Sequence, residues 1–126
     1  MDKAWKENVL RLAYSGSEQD EREYVALIYQ AEGQVTLEIA RVLLQTFRDE
    51  PDYGVQESAV AVLASANQEV YAQALLEELP RLLREAPEWA ASLIEYAINF
   101  SHEALTKTAQ QMGQSTQNLL TEVITK

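Results

Sequence analysis

The stretch from Asn67 to Phe100, NQEVYAQALLEELPRLLREAPEWAASLIEYAINF, decides the fold. Val70, Tyr71, Ala74, Leu75 and Leu79 recur every three or four positions, the spacing that puts apolar side chains on one face of a helix. Asn67, just ahead of them, is a helix-capping residue. Pro87 suits the first position of a second helix, because its missing N–H has no intrahelical acceptor there. That helix presents Trp89, Ala90, Leu93, Ile94, Ala97 and Phe100 on one stripe. Two such helices joined by a short connection make an antiparallel hairpin. Pro80 falls inside the first pattern, so a kink or restart is expected there, leaving a short segment through Arg84. Such a bend returns Leu82 and Leu83 to the core and leaves Arg81 and Arg84 in solvent.

The same grammar extends in both directions. A first helix reads from Asp2, a plausible cap, to Tyr14, with Trp5, Val9, Leu12 and Ala13 on one side. Ser15-Gly16 ends it. Ser17 with Asp20 three residues on signals the cap of a second helix, to about Gln30, that turns Tyr24, Leu27, Ile28 and Ala31 inward. Its acids Glu18, Asp20 and Glu21 suit a positive helix N-terminus. After Glu32-Gly33, Val35, Ile39, Val42, Leu43 and Phe47 mark a third helix of about a dozen residues. Asp49-Glu50-Pro51-Asp52-Tyr53-Gly54 reads as a loop. Val55, Ala59, Val60, Val62, Leu63 and Ala66 carry the fourth helix. Beyond Phe100, Ser101 is placed to cap a helix over Ala104, Leu105 and Ala109, and Gly113 precedes a last one with Leu119, Leu120, Val123 and Ile124.

No strand alternation or hairpin-turn dipeptide competes with these stripes. The expectation is one all-α domain over residues 1–126: seven or eight short helices in stacked antiparallel pairs, repeating every roughly 30–33 residues. That period points to a HEAT-like right-handed solenoid, and a compact helical bundle is the alternative.

Of the 126 residues, none is cysteine, which excludes a disulfide framework, a zinc–thiolate centre and a thiol nucleophile. Ten Lys and Arg face twenty Asp and Glu, a formal charge of −10. Such a chain is poorly suited to phosphate backbones or anionic membranes, so neither nucleic acid nor membrane is expected as a partner. No stretch nears the roughly 18 apolar residues of a membrane span, and the N-terminus has no apolar signal core, which points to the cytoplasm. Residues 49–103 hold eleven acids against Arg81 and Arg84, so nearly all the excess falls in the middle of the chain. An acidic block of this kind speeds encounter with a cationic partner, and it also serves simple solvation.

Catalytic groupings are missing from the pattern. The single histidine, His102, sits between Ser101 and Glu103, and adjacent residues on a helix diverge, so these three make no triad; a surface or capping place suits it. No glycine-rich phosphate loop occurs. Asp49, Glu50, Asp52 and Glu57 cluster without the ligand spacing of a calcium loop. No enzyme activity, metal or cofactor is expected. Tyr53 stands among loop carboxylates where no helix stripe demands it, the pairing of amphipathic ring and charge that serves protein interfaces. A Tyr folded back over its own core is the other reading.

The strings Asp52-Tyr53-Gly54-Val55-Gln56-Glu57-Ser58, Glu69-Val70-Tyr71, Ala74-Leu75-Leu76-Glu77-Glu78-Leu79-Pro80 and Ala86-Pro87-Glu88-Trp89-Ala90 resemble a family of small bacterial immunity proteins. These are encoded beside the polymorphic toxins of contact-dependent and secreted competition systems. The resemblance spans about residues 49–100. It implies an all-α antidote that binds and blocks a cognate toxin domain, often a basic nuclease, inside the producing cell. A HEAT-like adaptor gripping a peptide or helix of another cytoplasmic protein is the competing reading. Either way, the expected partner surface is centred on Asp49, Glu50, Asp52, Tyr53 and Glu57. Gln56 belongs to the helix this loop enters, and Glu95 and Tyr96 are possible additions.

Overall fold

The computed structural model describes residues 3–13, 15–49 and 55–125. Among them every regular element is helical: α1 Lys3–Ala13, α2 Glu18–Tyr29, α3 Leu37–Leu44, α4 Val55–Leu63, α5 Gln68–Glu85, α6 Pro87–Met112 and α7 Gln114–Ile124. Expected capping residues act as such. Ser17 Oγ accepts the Asp20 N–H at 3.3 Å, and Asn67 Oδ1 accepts that of Glu69 at 2.8 Å. Pro87 opens α6. At Gly33 and Gly113 the backbone takes φ of 80° and 115°, conformations that L side chains resist, and the chain turns there. The Asp2 cap lies outside the described residues.

Ser101 interrupts α6. Its φ and ψ of −164° and 96° leave the helical region, and its Oγ accepts the Ala104 N–H at 3.1 Å. A new helix therefore starts within α6 where the sequence places a cap. The third helix is shorter than expected, because Thr36 caps it by accepting the Ile39 N–H at 3.2 Å. Val35 and Phe47 are still buried, flanking the helix rather than riding on it.

Pro80 corrects the expectation of a restart. It sits within α5, which runs unbroken from Gln68 to Glu85. The Pro80 side is exposed, and packing of Leu75, Leu76, Leu79 and Leu82 holds the helix together across the missing N–H. Leu82 is buried and Leu83 half-buried as expected, and Arg84 is exposed. Arg81 is not solvated: it is half-buried, donates through Nη2 to the Leu44 carbonyl, and stands 3.6 Å from Glu85. Its aliphatic stem follows the α3–α5 seam while its charge finds a carbonyl and a carboxylate.

Helices α1, α3 and α5 touch in series and form one row, and each packs on the helix that follows it, so α2, α4 and α6 lie on the other side. On that side α2 touches α4, whereas α6 packs chiefly on α5 and α7. α7 packs on α6. One apolar core of buried side chains runs through the stack, from Trp5 to Leu120.

The first and third helix pairs share a joint. Trp5 Nε1 donates to the Leu27 carbonyl at 3.0 Å, and Tyr71 Oη donates to the Leu93 carbonyl at 3.2 Å. Both partners shift by 66 residues, two of the units expected from the sequence. Val9 and Leu75 are buried at the same offset, as are Ile28 and Ile94. In each case an aromatic donor on the first helix of a pair ties it to the second.

Candidate functional site

The expected partner residues separate in space and in role. Glu50, Asp52 and Tyr53 lie outside the described residues. Asp49 is exposed, and its carboxylate is engaged: Oδ2 accepts the Glu88 N–H at 2.9 Å and Oδ1 that of Trp89 at 3.3 Å. α6 has no side-chain cap of its own, since Ala86 precedes it. Asp49 fills that place from forty positions away, next to the positive end of the helix dipole. The uncompensated charge that the sequence suggests at Asp49 is thus partly neutralised by α6.

Gln56 is a correction. It is 5% exposed, and its Oε1 accepts the Arg48 N–H at 2.7 Å, closing the entry of the loop onto α4. A partner cannot reach it. Glu57, the next residue, is exposed in the first turn of α4, and Glu95 is exposed on α6. Tyr96 is half-buried, with its ring centroid 5.8 Å from Tyr71 and 6.0 Å from Phe100. Burial pushes the Tyr71 phenol well above its ordinary range, and Tyr96 beside it adds to the shift. Trp89 takes the core-packing role that its stripe predicts, its ring centroid 4.8 Å from that of Phe47. His102 is exposed, in keeping with a surface place.

The charge is sorted by row rather than by sequence block. Helices α1, α3 and α5 carry six acids and six bases and cancel. Helices α2, α4 and α6 carry eight acids against Arg22 and Lys107, leaving −6. In the neutral row cations meet carboxylates: Arg41 stands 3.5 Å from Glu77, Arg81 near Glu85, and Lys3 3.8 Å from Glu7. Glu78, 8% exposed, accepts a hydrogen bond from Gln45 Nε2 at 2.8 Å. Several carboxylates of the acidic middle block thus belong to the α3–α5 seam and face no partner. In the acidic row Arg22 pairs with Glu18 at 2.6 Å. Glu57, Glu88 and Glu95 are exposed, and α4 and the part of α6 before Ser101 contain no Lys or Arg.

Sequence reasoning missed this sidedness because it counted charge along the chain. The signal was available: assigning alternate helices to opposite rows separates the two totals. Among the described residues no group of three metal-ligating side chains converges, and no helix is long and apolar enough to cross a membrane. Compared with protein-family models, curated proteins and solved structures, the chain matches none.

Proposed function

We propose that this chain is a protein-binding module that takes a cationic protein domain against its α2–α4–α6 row, and that it acts in the cytoplasm as an immunity protein neutralising a cognate toxin. The charge of −6 on that row, opposite a row that cancels, is the observation that carries the reading. A one-sided field orients an approaching cationic domain as well as accelerating it, and repels nucleic acid from the same side. Two stacked rows and the 66-residue recurrence of aromatic-to-carbonyl bonds support a HEAT-like solenoid, whose extended faces serve as binding surfaces. The resemblance of residues 49–100 to bacterial immunity proteins supplies the class of partner, a toxin domain with a basic, nuclease-like surface.

Co-expression with the product of the adjacent upstream gene tests the reading. The expected result is a stable complex whose association slows steeply as salt rises, together with survival of cells carrying the toxin domain. Failure to form a complex, or an association rate indifferent to salt, overturns it.

A further inference from the structure

The chain beyond Ser101 is a helix pair with boundaries of its own: the second part of α6, the turn at Gly113, and α7. We propose that residues 102–124 open from the rest of the fold as one cooperative unit, with Ser101 as the hinge, while the three preceding pairs stay folded.

The hinge is already built into the backbone. At Ser101 the chain has left the helical region for an extended conformation open to any residue, and Ser101 Oγ accepts the Ala104 N–H at 3.1 Å. The second part of α6 thus carries its own cap and starts without borrowing one from the first part. Just ahead of the hinge, the Phe100 carbonyl accepts Gln68 Nε2 of α5 at 3.4 Å. Tyr71, Tyr96 and Phe100, with ring centroids 5.8–6.0 Å apart, pack together on the same side of the boundary. The first part of α6 is therefore fastened to α5 right up to the break.

The two ends of the stack are held unequally. The first pair buries Trp5, Val9, Leu12, Tyr24 and Ile28. Trp5 ties it across to the Leu27 carbonyl, Tyr24 Oη lies 2.8 Å from Thr46 Oγ1, and α1 and α2 each touch a helix of the next pair. Past Ser101 the buried side chains are Leu105, Thr108, Ala109 and Leu120, none of them aromatic. Leu119 and Val123 are only half-buried, and Met112 and Ile124 are exposed. The side-chain hydrogen bonds of Gln114, Thr121 and Thr125 end on residues of the same stretch. Apolar burial is the main force that docks a helix, so this pair is the least firmly held.

Its two helices also depend on each other. α7 packs chiefly on α6. Isolated helices shorter than about 12–15 residues are marginal in water, so neither half survives the loss of its neighbour. Undocking and melting then form a single transition that stops at Ser101. Simple fraying would instead creep inward from Ile124.

Native-state hydrogen exchange of the full chain, followed residue by residue by NMR at low urea concentrations, tests this. Amides of Leu105–Ala109 and Leu119–Val123 should exchange through one shared opening, about tenfold or more faster than the interior amides of α5. Their urea dependence should be shallower, because the partial opening exposes less surface than global unfolding. Ile39→Val, a mild core change in α3, should speed exchange in α5 several-fold and leave residues 105–123 unchanged, since α3 remains folded in the open form. Equal exchange free energies and urea slopes throughout the chain overturn the proposal. So does a gradient in which α7 exchanges progressively from Ile124 while Leu105–Ala109 keep the protection of α5. An Ile39→Val effect spread evenly over α5 and residues 105–123 overturns it as well.

Discussion

The carboxylate of Asp49 accepts the backbone N–H of Glu88 at 2.9 Å, so one acidic residue caps a helix that begins beside another. The pairing is favourable because the receiving group is an amide at a helix N-terminus, where partial positive charge gathers. It also turns an exposed acid of the expected partner surface into a joint between the α3–α4 connection and α6.

Replacing Asp49 by Ala should therefore cost stability. Loss of a capping side chain amounts to about 1 kcal/mol, within a range of roughly 0.5–2. Asp49→Lys should cost more, since it also sets a cation against the positive helix end. Asp49→Asn, which keeps an acceptor, should fall nearest the parent. Thermal midpoints of the three variants, ranked Asn, Ala, Lys from least to most destabilised, check this.

Gln56 should respond as an interior residue. Gln56→Leu keeps volume and removes an acceptor of the Arg48 N–H, a part-buried bond whose loss costs about 0.5–1.5 kcal/mol. Urea denaturation should show a lower midpoint. Binding of a cationic partner by the still-folded variant should be unchanged in rate.

Pro80 lies on the exposed side of a continuous helix, where it removes one backbone donor without ending the helix. Pro80→Ala restores an N–H for the Leu76 carbonyl and should stabilise the protein, by up to about 3 kcal/mol. A fall in thermal midpoint would show that the proline ring makes a packing contribution larger than the helix gains.

Tyr71 gives a pH dependence. Its phenol is held protonated in the fold, while the unfolded chain titrates near the ordinary value of about 10. Above that pH the unfolded state releases a proton that the native state keeps, so stability falls as pH rises. Tyr71→Phe abolishes this loss and also gives up the hydrogen bond to Leu93, worth about 0.5–1.5 kcal/mol. The variant should be less stable near neutrality, and its denaturation midpoint should decline less steeply between about pH 9 and 11.

Local grammar settled the helices. Ser17, Asn67 and Ser101 cap where their short oxygens can reach an amide two or three residues ahead, and stripes such as Tyr24, Ile28 and Ala31 fall buried because a helix repeats every 3.6 residues. These are near-neighbour interactions, so the order of residues alone determines them. The all-α class and the roughly 33-residue spacing were legible for the same reason. Where partners are distant in the chain, the sequence was mute. It could not say that Asp49 would reach α6, that Gln56 would turn inward to Arg48, or that Arg81 would lie in the α3–α5 seam. It placed a break at Pro80 because the local cost is real; only the apolar contacts of Leu76, Leu79 and Leu82, made across the stack, outweigh that cost. The candidate interface belongs to the same class. Acids counted along residues 49–103 form one block, but alternate helices enter opposite rows. Packing alone thus decides which carboxylates meet arginines and which face the solvent.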